Sequence, residues 1–107
     1  MPYHVNQIDP DRTAIIVVDM QNDFVADGAA LQSKQALAMT SRLSEALKFC
    51  RQTGIRVIYT AHVHRSDGCD AGRFADLYPP IADGSALVDG TEGAAIYPAL
   101  APAEGEH

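Results

Sequence analysis

Asp19 ends the apolar run Ala14–Val18 and is followed by Met20, Gln21, Asn22, Asp23 and Phe24. In open α/β sheets ligands collect at the carboxyl ends of strands, so Asp19 stands where a general base is wanted. An aspartate that simply caps the following turn would occupy the same place. Phe24 is either a pocket wall or ordinary packing. A second group lies between Thr60 and Phe74. His62 and His64 are two apart and share a face on extended chain. Imidazoles at that spacing, with Asp67 or Asp70 as a further ligand, suit a divalent metal such as zinc. Hydrogen-bonded residues at a sheet rim would show the same pattern. Arg65 and Arg73 can hold a carboxylate through paired N–H donors, or serve as surface charge. Cys50 falls on an apolar helix stripe and reads as core. Cys69 lies among acids, a poor setting for a nucleophilic thiolate.

These residues need elements to carry them. Thr13–Val18 is a continuous β-branched run, the pattern of a parallel strand covered on both faces. From Ser33 to Thr53 the residues Ala36, Met39, Leu43, Ala46, Leu47 and Cys50 recur at helical spacing. Ser33 suits the N-cap and Gly54 the C-terminal stop. Ile55–Thr60 is a second strand. The fold class is therefore α/β, with a strand–helix–strand unit over 13–65 behind an irregular lead-in, 1–12. Residues 66–107 are rich in Gly, Pro, Ala and Asp, with a short helix expected at Phe74–Leu77 and a turn near Ile96–Leu100. So much loop beside only two strands predicts a sheet that another polypeptide completes.

With 107 residues the chain builds one small domain, and 47% hydrophobic residues is ordinary for a globular one. A net charge of −6 repels phosphate backbones and argues against a nucleic-acid partner. No apolar run is long enough for a membrane, and the first dozen residues lack the pattern of a signal peptide. Two cysteines make no disulfide framework. The expected location is the cytoplasm.

Taken together, "TAIIVVDMQNDF", "GIRVIYTAHVHRSDGCDAGRF" and "GTEGAAIYPALAP" resemble the isochorismatase-like cysteine hydrolases, over roughly Arg12 to Pro102. The resemblance implies the N-terminal half of a three-layer α/β/α sandwich with a parallel, Rossmann-like sheet. It implies a cysteine amidohydrolase cleaving a C–N bond of a small amide, ureido or carbamoyl substrate through an Asp-Lys-Cys triad. Asp19 would be the general base, with Gln21–Asp23 as its polar support and Phe24, His64 and Arg65 at the substrate. The family lysine and cysteine follow the "IYPALAP" segment and have no counterpart here. They are expected from a C-terminal half or a second chain, in a homo- or hetero-oligomer, and this chain alone is expected to be inactive. Nicotinamidases of this family hold a metal through an Asp-x-His pair and a further His. The matching positions here are His62, His64 and Asp70, an altered set, and no metal is expected. Alternatives are an isochorismatase-type vinyl ether hydrolase and a non-catalytic regulatory or structural subunit. A phosphoacceptor receiver domain would need an acidic pair on a strand before Asp19, where no strand is expected.

Overall fold

The computed structural model describes residues 7–107. Half of the expected lead-in, residues 1–6, lies outside the described residues. The rest of it forms a single 3-10 turn, Pro10–Arg12, whose N-cap Asp9 accepts the Asp11 N–H.

Strand β1 (Ala14–Val18) pairs in parallel with β2 (Arg56–Thr60), Ala14 opposite Arg56 and Val18 opposite Thr60. Between them runs α2 (Lys34–Thr53), after the one-turn helix α1 (Asn22–Val25). The α2 boundaries follow local chemistry. Ser33 Oγ accepts the Ala36 N–H, and Gly54 takes φ 82° at the C-terminus, a conformation that glycine adopts without steric cost.

The main core gathers Val17, Met20, Val25, Leu47, Cys50, Ile55, Val57 and Leu100 between the sheet and α2. Two expectations fail here. Met39, counted in the buried stripe, is 45% exposed, while Leu37 packs against the core. Both lie at the stripe's edges, about 80° either side of Leu47 in helical projection, and packing selects the Leu37 edge. Nor is β1 covered on both faces: Ile16 and Val18 are 57% and 62% exposed. Helix α2 covers one face of the sheet, and no described element covers the other.

The segment 66–107 is less loop-like than its composition suggests. It contains α3 (Phe74–Leu77), α4 (Pro79–Ala82) and a 3-10 turn, Pro98–Leu100. Ala71, Ile81, Ala86 and Leu87 form a second small core against Phe24, Leu31 and Ala75. Helix α4, like the one-turn α1, is not among the elements expected from the sequence. Its prolines suit a helix start, where the lost N–H would have no partner anyway. The C-terminal stretch is held to α2 and β2 by Arg51, which donates to both Glu106 carboxylate oxygens (2.9 and 2.8 Å), to Tyr59 Oη and to the Ala101 carbonyl. The Tyr59 hydroxyl in turn donates to the Leu100 carbonyl at 2.6 Å.

Candidate functional site

Asp19 follows β1 with φ 54°, a left-handed backbone that non-glycine residues rarely adopt. Its N–H donates to both the carbonyl and the hydroxyl oxygen of Thr60, at 3.2 Å each. The Thr60 hydroxyl donates to Asp19 Oδ1 at 2.7 Å. The carboxylate is thus aimed at the rim by the neighbouring strand. The sequence reading did not single out Thr60, although the last residue of a parallel neighbour is where such a partner belongs.

Gln21, Asn22 and Asp23 do not support Asp19 with their side chains, as the sequence reading expected. Each grips the segment that crosses the rim. Gln21 has no exposed surface. Its amide donates to the His62 and Ala94 carbonyls (2.9 Å each), and its oxygen accepts the His62 N–H at 2.8 Å. Asn22 donates to the Glu92 carbonyl at 2.7 Å. Asp23 accepts the Leu87 N–H at 2.7 Å. A methyl group at Gly93 would overlap the Asp23 carboxylate. Leu87, the other non-glycine residue with positive φ among the described residues (58°), is pinned between this bond and the His64 N–H donated to its carbonyl at 2.7 Å. Strained backbone of this kind persists only where surrounding bonds enforce it, and it clusters at functional sites.

A cavity of about 270 Å³ is walled by Phe24, Leu31, His62, Phe74, Tyr78, Ile81 and Leu87, and Asp19 is not among its walls. It has room for one small flat molecule and is at the small end of ligand cavities. His62 meets the Phe74 ring edge-on, centroids 5.2 Å apart. A larger hollow along α2, lined by Ser44, Glu45, Lys48, Arg51 and Gln52, brings together no thiol, imidazole or paired acids.

The His62 and His64 rings meet through their Nε2 atoms at 2.8 Å. His64 is buried, and its Nδ1 faces Asp70 Oδ1 at 3.5 Å. Asp70 is itself fixed by the Arg65 N–H at 2.9 Å. The three possible metal ligands therefore do not converge, because Asp70 approaches the far side of the His64 ring. Two nitrogens 2.8 Å apart would also subtend only about 85° at a zinc ion held at about 2.05 Å, against about 109° in a tetrahedral site. No group of three or more His, Cys, Asp or Glu suited to a metal occurs among the described residues.

The other candidates separate. Phe24 walls the cavity. Arg65 lines an adjoining hollow with His64, Ser66 and Asp67, not the aromatic one. The exposed Arg73 pairs with Asp76 at 3.2 Å. Cys50 is core. Cys69 is exposed, and its Asp67 hydrogen-bond partner pushes the thiol above its ordinary range, opposite to what a nucleophile needs. Lys34 and Lys48 are both on α2, away from Asp19's rim in sequence and element.

Residues 13–107 match the isochorismatase domain family. A solved cysteine hydrolase from Pseudomonas syringae pv. phaseolicola is 35% identical, with a TM-score of 0.86, over 99% of this chain and 49% of that one. An isochorismatase family protein from Desulfovibrio vulgaris is 35% identical at TM-score 0.77, over 88% of this chain and 49% of that one. A probable inactive nicotinamidase of Arabidopsis thaliana is 32% identical over 88 residues, 82% of this chain and 45% of that protein. The chain spans about half the length of the relatives it matches. No helix among the described residues is long and apolar enough to cross a membrane.

Proposed function

The chain belongs to the isochorismatase family, and from that premise we propose that it is the aspartate-bearing half of a cysteine amidohydrolase. Asp19 is its general base. The reaction is cleavage of a C–N bond in a small amide, ureido or carbamoyl compound. Asp19 takes the proton of a cysteine thiol, the thiolate attacks the carbonyl, the C–N bond breaks as that proton passes to the departing nitrogen, and water opens the resulting thioester to the acid and the free thiol. The lysine and the cysteine lie outside these 107 residues, in a C-terminal half of the fold or a second chain. That placement fits the two lysines on α2 and the two cysteines, one in the core and one with a suppressed thiolate.

The observation that carries this reading is the Asp19–Thr60 pair: a carboxylate in a left-handed backbone, aimed by a 2.7 Å bond at the carboxyl end of a parallel sheet. Phe24 is the wall against the substrate's apolar face. His64 contributes from behind His62, and Arg65 from the adjoining hollow. The open sheet face at Ile16 and Val18 is where the remainder of the fold packs.

The test is native and denaturing mass spectrometry of the protein purified from its source, followed by ammonia release from a panel of small amides and ureides. A co-purifying polypeptide that bears a lysine and a cysteine, with turnover abolished by Asp19→Asn, is the expected result. Turnover unchanged in Asp19→Asn overturns the assignment of the base. A second reading, a non-catalytic subunit, draws on the Arabidopsis relative described as probably inactive. It predicts a folded chain with no turnover in any assembly.

A further inference from the structure

The contacts of the two histidines favour one arrangement of their protons. The Asp70 carboxylate faces His64 Nδ1 at 3.5 Å, too long for a hydrogen bond but close enough for its charge to favour the proton on that nitrogen. His64 Nε2 then carries a lone pair. Its neighbour at 2.8 Å, His62 Nε2, must supply the hydrogen. His62 Nδ1 is left with a lone pair, and it makes no other hydrogen bond among the described residues. His62 is half-buried and walls the aromatic cavity.

We propose that Asp70, through its charge, and His64, through its hydrogen bond to His62, form a relay that makes His62 Nδ1 an acceptor in the cavity walled by Phe24, Phe74 and Tyr78. The relay selects a small flat ligand that presents an N–H. It occupies this position in place of a metal centre, since the Asp70 carboxylate is spent on the far ring nitrogen. The frame that holds it is rigid. Gln21 clamps both backbone polar groups of His62, and the His64 N–H and carbonyl bond to Leu87 and Asp89. An acceptor at this point suits an unsubstituted amide or ureido nitrogen, and it repels a carboxylate. The ligand-selecting part rests on the reading of this cavity as the substrate site; the proton arrangement does not.

The experiment uses the whole chain, labelled with ¹⁵N, and long-range ¹⁵N–¹H correlation spectra of the imidazoles at about pH 8, where ordinary histidines are neutral. His64 is expected as the Nδ1–H form and His62 as the Nε2–H form, with Asp70→Ala returning both to mixtures. His62 as the Nδ1–H form overturns the relay. Benzamide is then titrated as the probe, against N,N-dimethylbenzamide and benzoate. Benzamide should shift the His62 Nδ1 signal and bind about tenfold tighter than either, the worth of one hydrogen bond, and His62→Phe should erase that preference. Equal binding of benzamide and its dimethyl analogue overturns the selection, as does no benzamide shift at all. Stoichiometric zinc binding to both Nε2 atoms overturns the relay in favour of a metal site. None of these readouts needs turnover, so a failed hydrolase assignment and a failed relay are distinguishable.

Discussion

Thr60 holds Asp19 from two sides, its hydroxyl donating to the carboxylate at 2.7 Å while its carbonyl takes the Asp19 N–H at 3.2 Å. Thr60 ends β2 and Asp19 directly follows the adjacent parallel strand β1, so the Asp19 carboxylate takes its aim from β2 rather than from its own strand. Replacing Thr60 by Val keeps the shape and removes the hydroxyl. In the assembled enzyme this should lower kcat about tenfold, the scale of one hydrogen bond. KM should change little, and Thr60→Ser should restore most of the rate. An undiminished kcat in Thr60→Val would show that Asp19 needs no such support.

Gln21 is a structural clamp. Gln21→Ala leaves the His62 N–H and carbonyl and the Ala94 carbonyl without their partner in the interior. The expected cost is about 2–4 kcal/mol, measured by urea unfolding, since orphaned buried polar groups are expensive. Hydrogen exchange at His62 should accelerate with it. A loss below half a kilocalorie, at about 0.5 kcal/mol, would mean that water replaces the amide.

Gly93 has no room for a side chain against Asp23. Gly93→Ala should destabilise the chain by about 1–3 kcal/mol, the usual range for forcing atoms into a filled site. Shortening Asp23 to Ala should make the Gly93→Ala step nearly free, because the two residues are in contact and their effects cannot add. Additive losses in the double variant would place the strain elsewhere.

The Arg51–Glu106 pair makes stability depend on acid. The guanidinium bond holds the Glu106 carboxyl below its ordinary value of 4.5. Its contribution is full above that ordinary value and is lost as pH falls through the lower folded-state one. The side chains are 33% and 14% exposed, so solvent screens the pair and its worth is about 0.2–1 kcal/mol. Urea midpoints should therefore fall below about pH 4.5, and Glu106→Gln should flatten that part of the curve. An identical acid limb in the variant would remove Glu106 from the account.

Much of this was legible in the residues because its causes are local. The β-branched run, Ser33 and Gly54 specify a strand and two helix ends through contacts a few residues long. Asp19 was legible because position alone marks the end of a strand. What stayed hidden depended on distance in sequence. Gln21, Asn22 and Asp23 look like company for Asp19, but their partners are 41 to 73 residues away. The arrangement of His62, His64 and Asp70 stayed hidden because spacing does not tell which ring nitrogen a carboxylate meets. Exposure of Ile16 and Val18 was hidden because a strand's apolarity says which faces want cover, not which have it.

The three grips of Gln21, Asn22 and Asp23 also set an order of events during folding. The bonds of Gln21 to Ala94, Asn22 to Glu92 and Asp23 to Leu87 close loops of 73, 70 and 64 residues, longer than those closed by the β1–β2 pairing, and cost more chain entropy to form. β1, α2 and β2 can therefore assemble while residues 87–96 remain unattached. That segment then locks as one cooperative unit, and in the native state it should open as one. His62 and Leu87 both line the cavity and both take bonds from these grips. Opening of that unit therefore takes Leu87 out of the cavity wall without unfolding the elements that carry Phe24, Leu31, His62, Phe74, Tyr78 and Ile81.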